Sequence, residues 1–137
     1  MSYTNSQIVT AALSGKDAEN GRGSMSTEQG RSIFISMGYL PTRLKDILRS
    51  RAHAGHVDQI IYSYATPIAW LDEGAWVVPT VTYSITTSAK HQTHLYRLPN
   101  RVGVPWDCGQ EDYLAFIGGT SRYVHNYRGG VGTVVAA

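Results

Sequence analysis

The chain has 137 residues, 42% of them hydrophobic and 16% charged, which predicts one domain and excludes wholesale disorder and collagen-like composition. No apolar run approaches the ~18 residues of a spanning helix, and nothing at the amino end reads as a signal peptide. The single cysteine, Cys108, excludes an intramolecular disulfide framework and suits a reducing cytoplasm. The net charge of +2 is uneven. Residues 31–58 hold five cations against two carboxylates, and residues 84–106 hold three cations and none, so two segments carry 8 of the 12 Lys and Arg residues. Such clustering raises a local positive potential that attracts polyanions.

In chain order, Thr4-Asn5-Ser6 before Gln7 to Leu13 predicts a short capped helix. Residues 14–30 are rich in Gly, Ser and charge and poor in large apolar side chains, which predicts a mobile loop or arm. Ser32 to Ser36 is a short apolar run compatible with strand or helix. Pro41 and the spacing of Leu44, Ile47 and Leu48 predict a helix over 41–53, with Lys45, Arg49 and His53 on its other face and Gly55 as its stop.

The strongest strand signal lies at about 60–85. Ile60, Tyr62 and Tyr64 alternate with Ile61, Ser63 and Ala65, and Asp72-Glu73-Gly74 separates two apolar runs. A three-residue connection with Gly74 left-handed sets Trp70 opposite Trp76 on one face of a hairpin. Thr86-Thr87-Ser88 then precedes a second predicted helix, roughly 88–98, that Pro99 ends. His91, Leu95 and Leu98 form its apolar stripe. Tyr113 to Ile117 reads as one further short element, and Gly118-Gly119 and Gly129-Gly130 frame a strand around Tyr123 to Tyr127. The expected fold is α+β: a small antiparallel sheet with the Trp-bearing hairpin, flanked by two or three short helices.

The helix after Thr86-Thr87-Ser88 carries the clearest chemical signal. Its first turns hold Lys90, His91 and His94, with Arg97 further on and no carboxylate, the reverse of the usual preference at a helix start. A bound phosphate reverses that sign. The candidate anion or nucleic-acid site is therefore Thr86, Thr87, Ser88, Lys90, His91, His94 and Arg97, joined by Lys45 and Arg49 of the first basic helix. His53-x-x-His56 and His91-x-x-His94 have ligand spacing but lack a Cys or carboxylate quartet, so no metal is assigned. Cys108 lies between Asp107 and Gly109 with no cation to activate it. No nucleophile elbow, phosphate-binding loop or dinucleotide fingerprint is present, so neither catalysis nor a cofactor is supported. Tyr62, Tyr64, Trp70, Trp76 and Tyr83 are either the core or a binding surface.

Residues 62–70 (Tyr-Ser-Tyr-Ala-Thr-Pro-Ile-Ala-Trp), Trp76-Val77-Val78-Pro79, and Tyr83-Ser84-Ile85-Thr86-Thr87-Ser88 followed by Lys90-His91-Gln92 resemble a module of small uncharacterised bacteriophage proteins. The resemblance spans about residues 60–98. It implies a phage-encoded accessory protein acting in the host bacterial cytoplasm, with no reaction and no catalytic residue. The expected function is thus a non-enzymatic binding module for nucleic acid or another polyanion, with no membrane partner. The alternative is a modulator of a host protein, bound through an aromatic surface.

Overall fold

A computed structural model describes residues 3–30, 35–81, 90–126 and 131–136. Helix α1 (Asn5–Leu13) leads into strands β1 (Ala18–Glu19) and β2 (Met25–Gln29), then α2 (Thr42–His53) and strands β3 (Val57–Ser63), β4 (Thr66–Asp72) and β5 (Ala75–Pro79). A 3-10 helix (Gln92–Arg97) precedes β6 (Arg101–Val104), α3 (Gln110–Ile117), β7 (Ser121–Asn126) and β8 (Val131–Ala136). Strands β1 to β6 form one sheet in sequence order, antiparallel except for the parallel pair β5–β6, while β7 and β8 form a separate antiparallel pair. The fold is α+β, with a mixed sheet.

Successive strand residues point to opposite faces, and here both faces are covered. Ile60, Tyr62, Trp70 and Val77 join Leu44, Ile47 and Leu48 of α2 and Tyr113 and Phe116 of α3 in one core. Ile61, Ala69 and Trp76 join Ile8, Val9 and Ala12 of α1 and Leu95 and Leu98 around the 3-10 helix in the other. Burial on both sides explains why Ile60-Ile61-Tyr62 and Ile68 to Leu71 are unbroken apolar runs.

The local signals behind the helices are visible. Thr4 caps α1 through a reciprocal box: its Oγ1 accepts from the Gln7 amide at 3.2 Å, and Gln7 Oε1 accepts from the Thr4 amide at 2.9 Å. In α2 the predicted face Leu44, Ile47 and Leu48 is buried.

Three expectations are corrected. Residues 14–30 contribute β1 and β2 in place of a loop, with Met25 and Thr27 buried. Polar contacts support them: Thr27 Oγ1 donates to the Ile60 carbonyl at 2.7 Å and accepts from Gln59 Nε2 at 2.9 Å.

Secondly, the hairpin β4–β5 forms, but in a different register. Glu73 (φ +49) and Gly74 (φ +86) make a two-residue connection, with Asp72 paired to Ala75, Leu71 to Trp76 and Trp70 to Val77. Two positive φ values suit a type I′ turn, which matches strand twist. The change of one residue puts the two indoles on opposite faces and in different cores.

Thirdly, the second helix is a six-residue 3-10 segment starting at Gln92, with no side-chain cap. Thr86, Thr87 and Ser88, the predicted cap and phosphate cradle, lie outside the described residues, as does most of the 32–36 run. The segment is held at both ends by side chains. Asn5 Nδ2 donates to the Lys90 carbonyl, Gln92 Nε2 donates to the Val81 carbonyl, and Arg97 is tied to α1. His91, Leu95 and Leu98 are buried, as their stripe predicts.

Candidate functional site

The sequence-predicted cations divide between the two faces of the sheet. Lys45 and Arg49 ride on α2, where Arg49 lies 3.5 Å from Asp46 in an exposed i, i+3 pair. Lys90, His91, His94 and Arg97 belong to the opposite face, beside α1. The expected composite of both basic segments therefore does not form.

Arg97 also leaves the predicted site. Its Nη1 donates to the Ser6 carbonyl and Ser6 Oγ, both at 2.7 Å, and its Nη2 donates to Thr10 Oγ1 at 2.9 Å. The guanidinium is fastened to α1. His94 is half-buried on the 3-10 helix and does not line the cleft described next.

Lys90 and His91 do come together, with residues that carry no charge-pattern signal in the sequence. A cleft of about 700 Å³ is lined by Asn5, Asn20, Gly21, Arg22, Ser24, Tyr64, Lys90 and His91. Its frame is a chain of neutral hydrogen bonds. Asn20 Nδ2 donates to Asn5 Oδ1 (2.7 Å) and Ser24 Oγ (2.9 Å), while Asn20 Oδ1 accepts from the Ser24 amide (2.9 Å). With Asn5 Nδ2 bonded to the Lys90 carbonyl, the β1–β2 turn, the start of α1 and the Lys90–His91 turn are joined.

Among the described residues, two cations, Arg22 and Lys90, line this cleft and no carboxylate does. Neither is in an ion pair with a described residue. The remaining hydrogen-bonding capacity is mostly donor: the Lys90 ammonium, the Arg22 guanidinium, the Ser24 hydroxyl proton and the second Asn5 amide proton.

His91 forms the floor, 1% exposed. Burial, and then the nearby His94, lower its pKa below the ordinary histidine value, so the ring is neutral at neutral pH. Its Nδ1 lies 2.6 Å from Ser63 Oγ. That distance suits a nucleophile and base, but both residues are buried and no described carboxylate contacts the ring, so the pair fixes the ring in place.

Tyr64 stands at the rim, 58% exposed, with its ring 5.8 Å from that of His91 at an interplanar angle of 57°. Its backbone is left-handed, φ +52, in the two-residue connection between β3 and β4. A bulky aromatic in that region is a conformational outlier of the kind that gathers at functional sites. The turn is held from both sides: the Tyr64 amide donates to the Ser24 carbonyl at 2.7 Å, and Ser36 Oγ donates to the Ala65 carbonyl. Gly38 packs there without a side chain, because a Cβ would sit 2.7 Å from the Ala65 backbone.

The overlooked residues left one readable sign. Asn20-Gly21-Arg22-Gly23-Ser24 is a hairpin-turn composition, hidden by the paucity of apolar residues around it.

Elsewhere, an apolar groove of about 420 Å³ runs between Ile35, Met37 and the outer side of α2, with Arg49 and His53 on its border. Its two charged lining residues, Asp46 and Arg49, lie 3.5 Å apart and answer each other. Cys108 is buried and its thiol is pushed up to about 12, mainly by burial and then by Asp112 and Asp107, so it stays protonated and inert. No group of three or more His, Cys, Asp or Glu among the described residues is placed to hold a metal ion, and His56 is bonded to Glu73 at 2.7 Å. No described helix is long and apolar enough to cross a membrane.

Compared with known proteins, the chain matches no curated protein and no solved structure. Residues 3–105 match the family described as "Family of unknown function (DUF8033)". That span takes in the whole six-stranded sheet and the cleft, and the chain belongs to this family.

Proposed function

We propose that the protein is a non-enzymatic binding module for a polyanion, most simply nucleic acid, and that the Arg22–Lys90 cleft is where it binds. The observation that carries this reading is the cleft's composition: among the described residues that line it, two cations without an ion-pair partner, several donors and no carboxylate. Phosphate oxygens are acceptors only, so a donor-rich pocket is their complement. Lys90 and His91, two of the residues singled out by sequence, support it from here; Arg97, Lys45 and Arg49 do not. The resemblance of residues 60–98 to small bacteriophage proteins supports an accessory role inside a bacterial cell.

Salt dependence of binding tests the reading. Labelled DNA and RNA are titrated with the purified protein at several ionic strengths, and affinity should fall steeply as salt rises. Lys90→Ala and Arg22→Ala should each flatten the log–log slope by about one unit, with the fold intact. Absence of any affinity for DNA or RNA at low salt would overturn it and leave an aromatic-surface contact with a host protein as the leading reading.

A further inference from the structure

We infer that the nucleic acid taken by the cleft is single-stranded, with one unpaired base stacked on Tyr64 and the adjacent phosphate held by Lys90 and Arg22. The inference rests on the polyanion reading of the cleft and goes beyond it by naming the form of the strand. Three observations converge. Tyr64 is the aromatic side chain at the rim, more than half exposed although it follows a buried strand and touches the His91 ring. Its left-handed backbone holds the ring out in a connection where glycine or asparagine would be unstrained. The two cations line the same cleft as this ring, in front of a neutral histidine floor.

A duplex presents phosphates to such a cleft but keeps its base faces stacked inside. A single strand presents both. An exposed aromatic combined with unpaired cations is the arrangement that binds single strands with little sequence preference, since every base has a flat face. The neutral Asn5, Asn20 and Ser24 groups keep the walls polar, and the tilted His91 ring packs against Tyr64.

The test uses the full chain and short fluorescent single-stranded DNA and RNA oligonucleotides, with the matching duplexes and heparin as comparison probes. Single strands should bind more tightly than duplexes of the same sequence. Tyr64→Asn should weaken single-strand binding roughly 5- to 100-fold while leaving the salt slope unchanged. Asparagine tolerates the left-handed backbone, so the melting temperature should hold or rise. Tyr64→Trp should retain affinity. If Tyr64→Asn binds single strands like the parent, or duplexes bind as tightly as single strands, the inference fails while a Lys90-dependent salt slope keeps the polyanion reading. Binding of heparin alone overturns the single-strand inference and retains a polyanion site. If no probe binds at low salt, the polyanion reading itself falls.

Discussion

The two faces of the six-stranded sheet treat charge in opposite ways. On the α2/α3 face, Asp72 is fully buried and completely answered: Arg51 donates to both of its oxygens at 2.9 and 3.0 Å, and the Tyr113 hydroxyl donates at 2.6 Å. Trp70 Nε1 in turn donates to the Tyr113 oxygen at 2.9 Å, and Arg51 reaches Glu73 at 3.3 Å. On the α1 face the interior polar contacts are mostly between neutral groups, and the cations Arg22 and Lys90 remain at the surface. Charge that is spent inside the first face specifies packing, since an unpaired buried ion is intolerable. Charge that is framed by amides and left unspent is available to a ligand.

The strongest way to break this contrast is to remove one member of the buried set. Asp72→Ala leaves Arg51 with only the half-exposed Glu73 and the Tyr113 hydroxyl without its acceptor, and should cost about 3–5 kcal/mol, read from the urea midpoint. Arg97→Ala, on the other face, gives up contacts to Ser6 and Thr10 near the surface and should cost only about 1–2 kcal/mol. Equal losses from the two substitutions would erase the distinction.

A smaller effect sharpens it through pH. His91 is kept neutral by the fold, with its pKa below the ordinary 6.5, so the unfolded chain binds a proton more readily. The groups around it are Ser63, Tyr64, Lys90 and His94. Its contribution to stability should be complete well above pH ~6.5 and be lost as pH falls below that value toward the folded pKa. His91→Gln should remove that part of the slope. Identical acid-side slopes in urea titrations of parent and variant would rule the histidine out as its source.

The smallest expected effect is on α2. Lys45→Ala combined with Arg49→Ala should change stability by only about 0.5 kcal/mol, because the Asp46–Arg49 pair is exposed. Oligonucleotide affinity and its salt slope should not move, in contrast to Lys90→Ala. A clear loss of affinity would restore the two-helix basic surface that the sequence suggests.

What could be read in advance follows from how local each signal is. The Thr4 cap, the α2 face and the turn at Gly74 are written in a few adjacent residues, and each element appears in place. The register at Gly74 was less legible, because whether Glu73 joins the turn depends on its surroundings. In the fold its amide donates to the His56 carbonyl at 3.2 Å and its carboxylate meets His56 and Arg51, partners 17 and 22 residues away in the chain. The strands at 18–19 and 25–29 were illegible for a related reason. Their order comes from ladder bonds to β3 and from Thr27, Gln59 and Asn20, not from apolar periodicity. Of the candidate site, Lys90 and His91 are legible through their charge pattern. Tyr64 and Arg22 join them only because β2 lies beside β3.

That placement of β2 also bears on how the protein stays out of aggregates. Residues 59–63 of β3 pair with β2, and they include Ile60, Ile61 and Tyr62, a segment of high strand propensity without charge. Left at an edge, it would be a template for another chain. The sheet instead ends in β1, only two residues long, with Asp17 before it and Arg22 in the turn after it, too short to recruit a partner strand. The same short hairpin that carries Arg22 to the cleft therefore serves as the blunt end of the sheet, and loss of both its strands would bare β3 as a new edge.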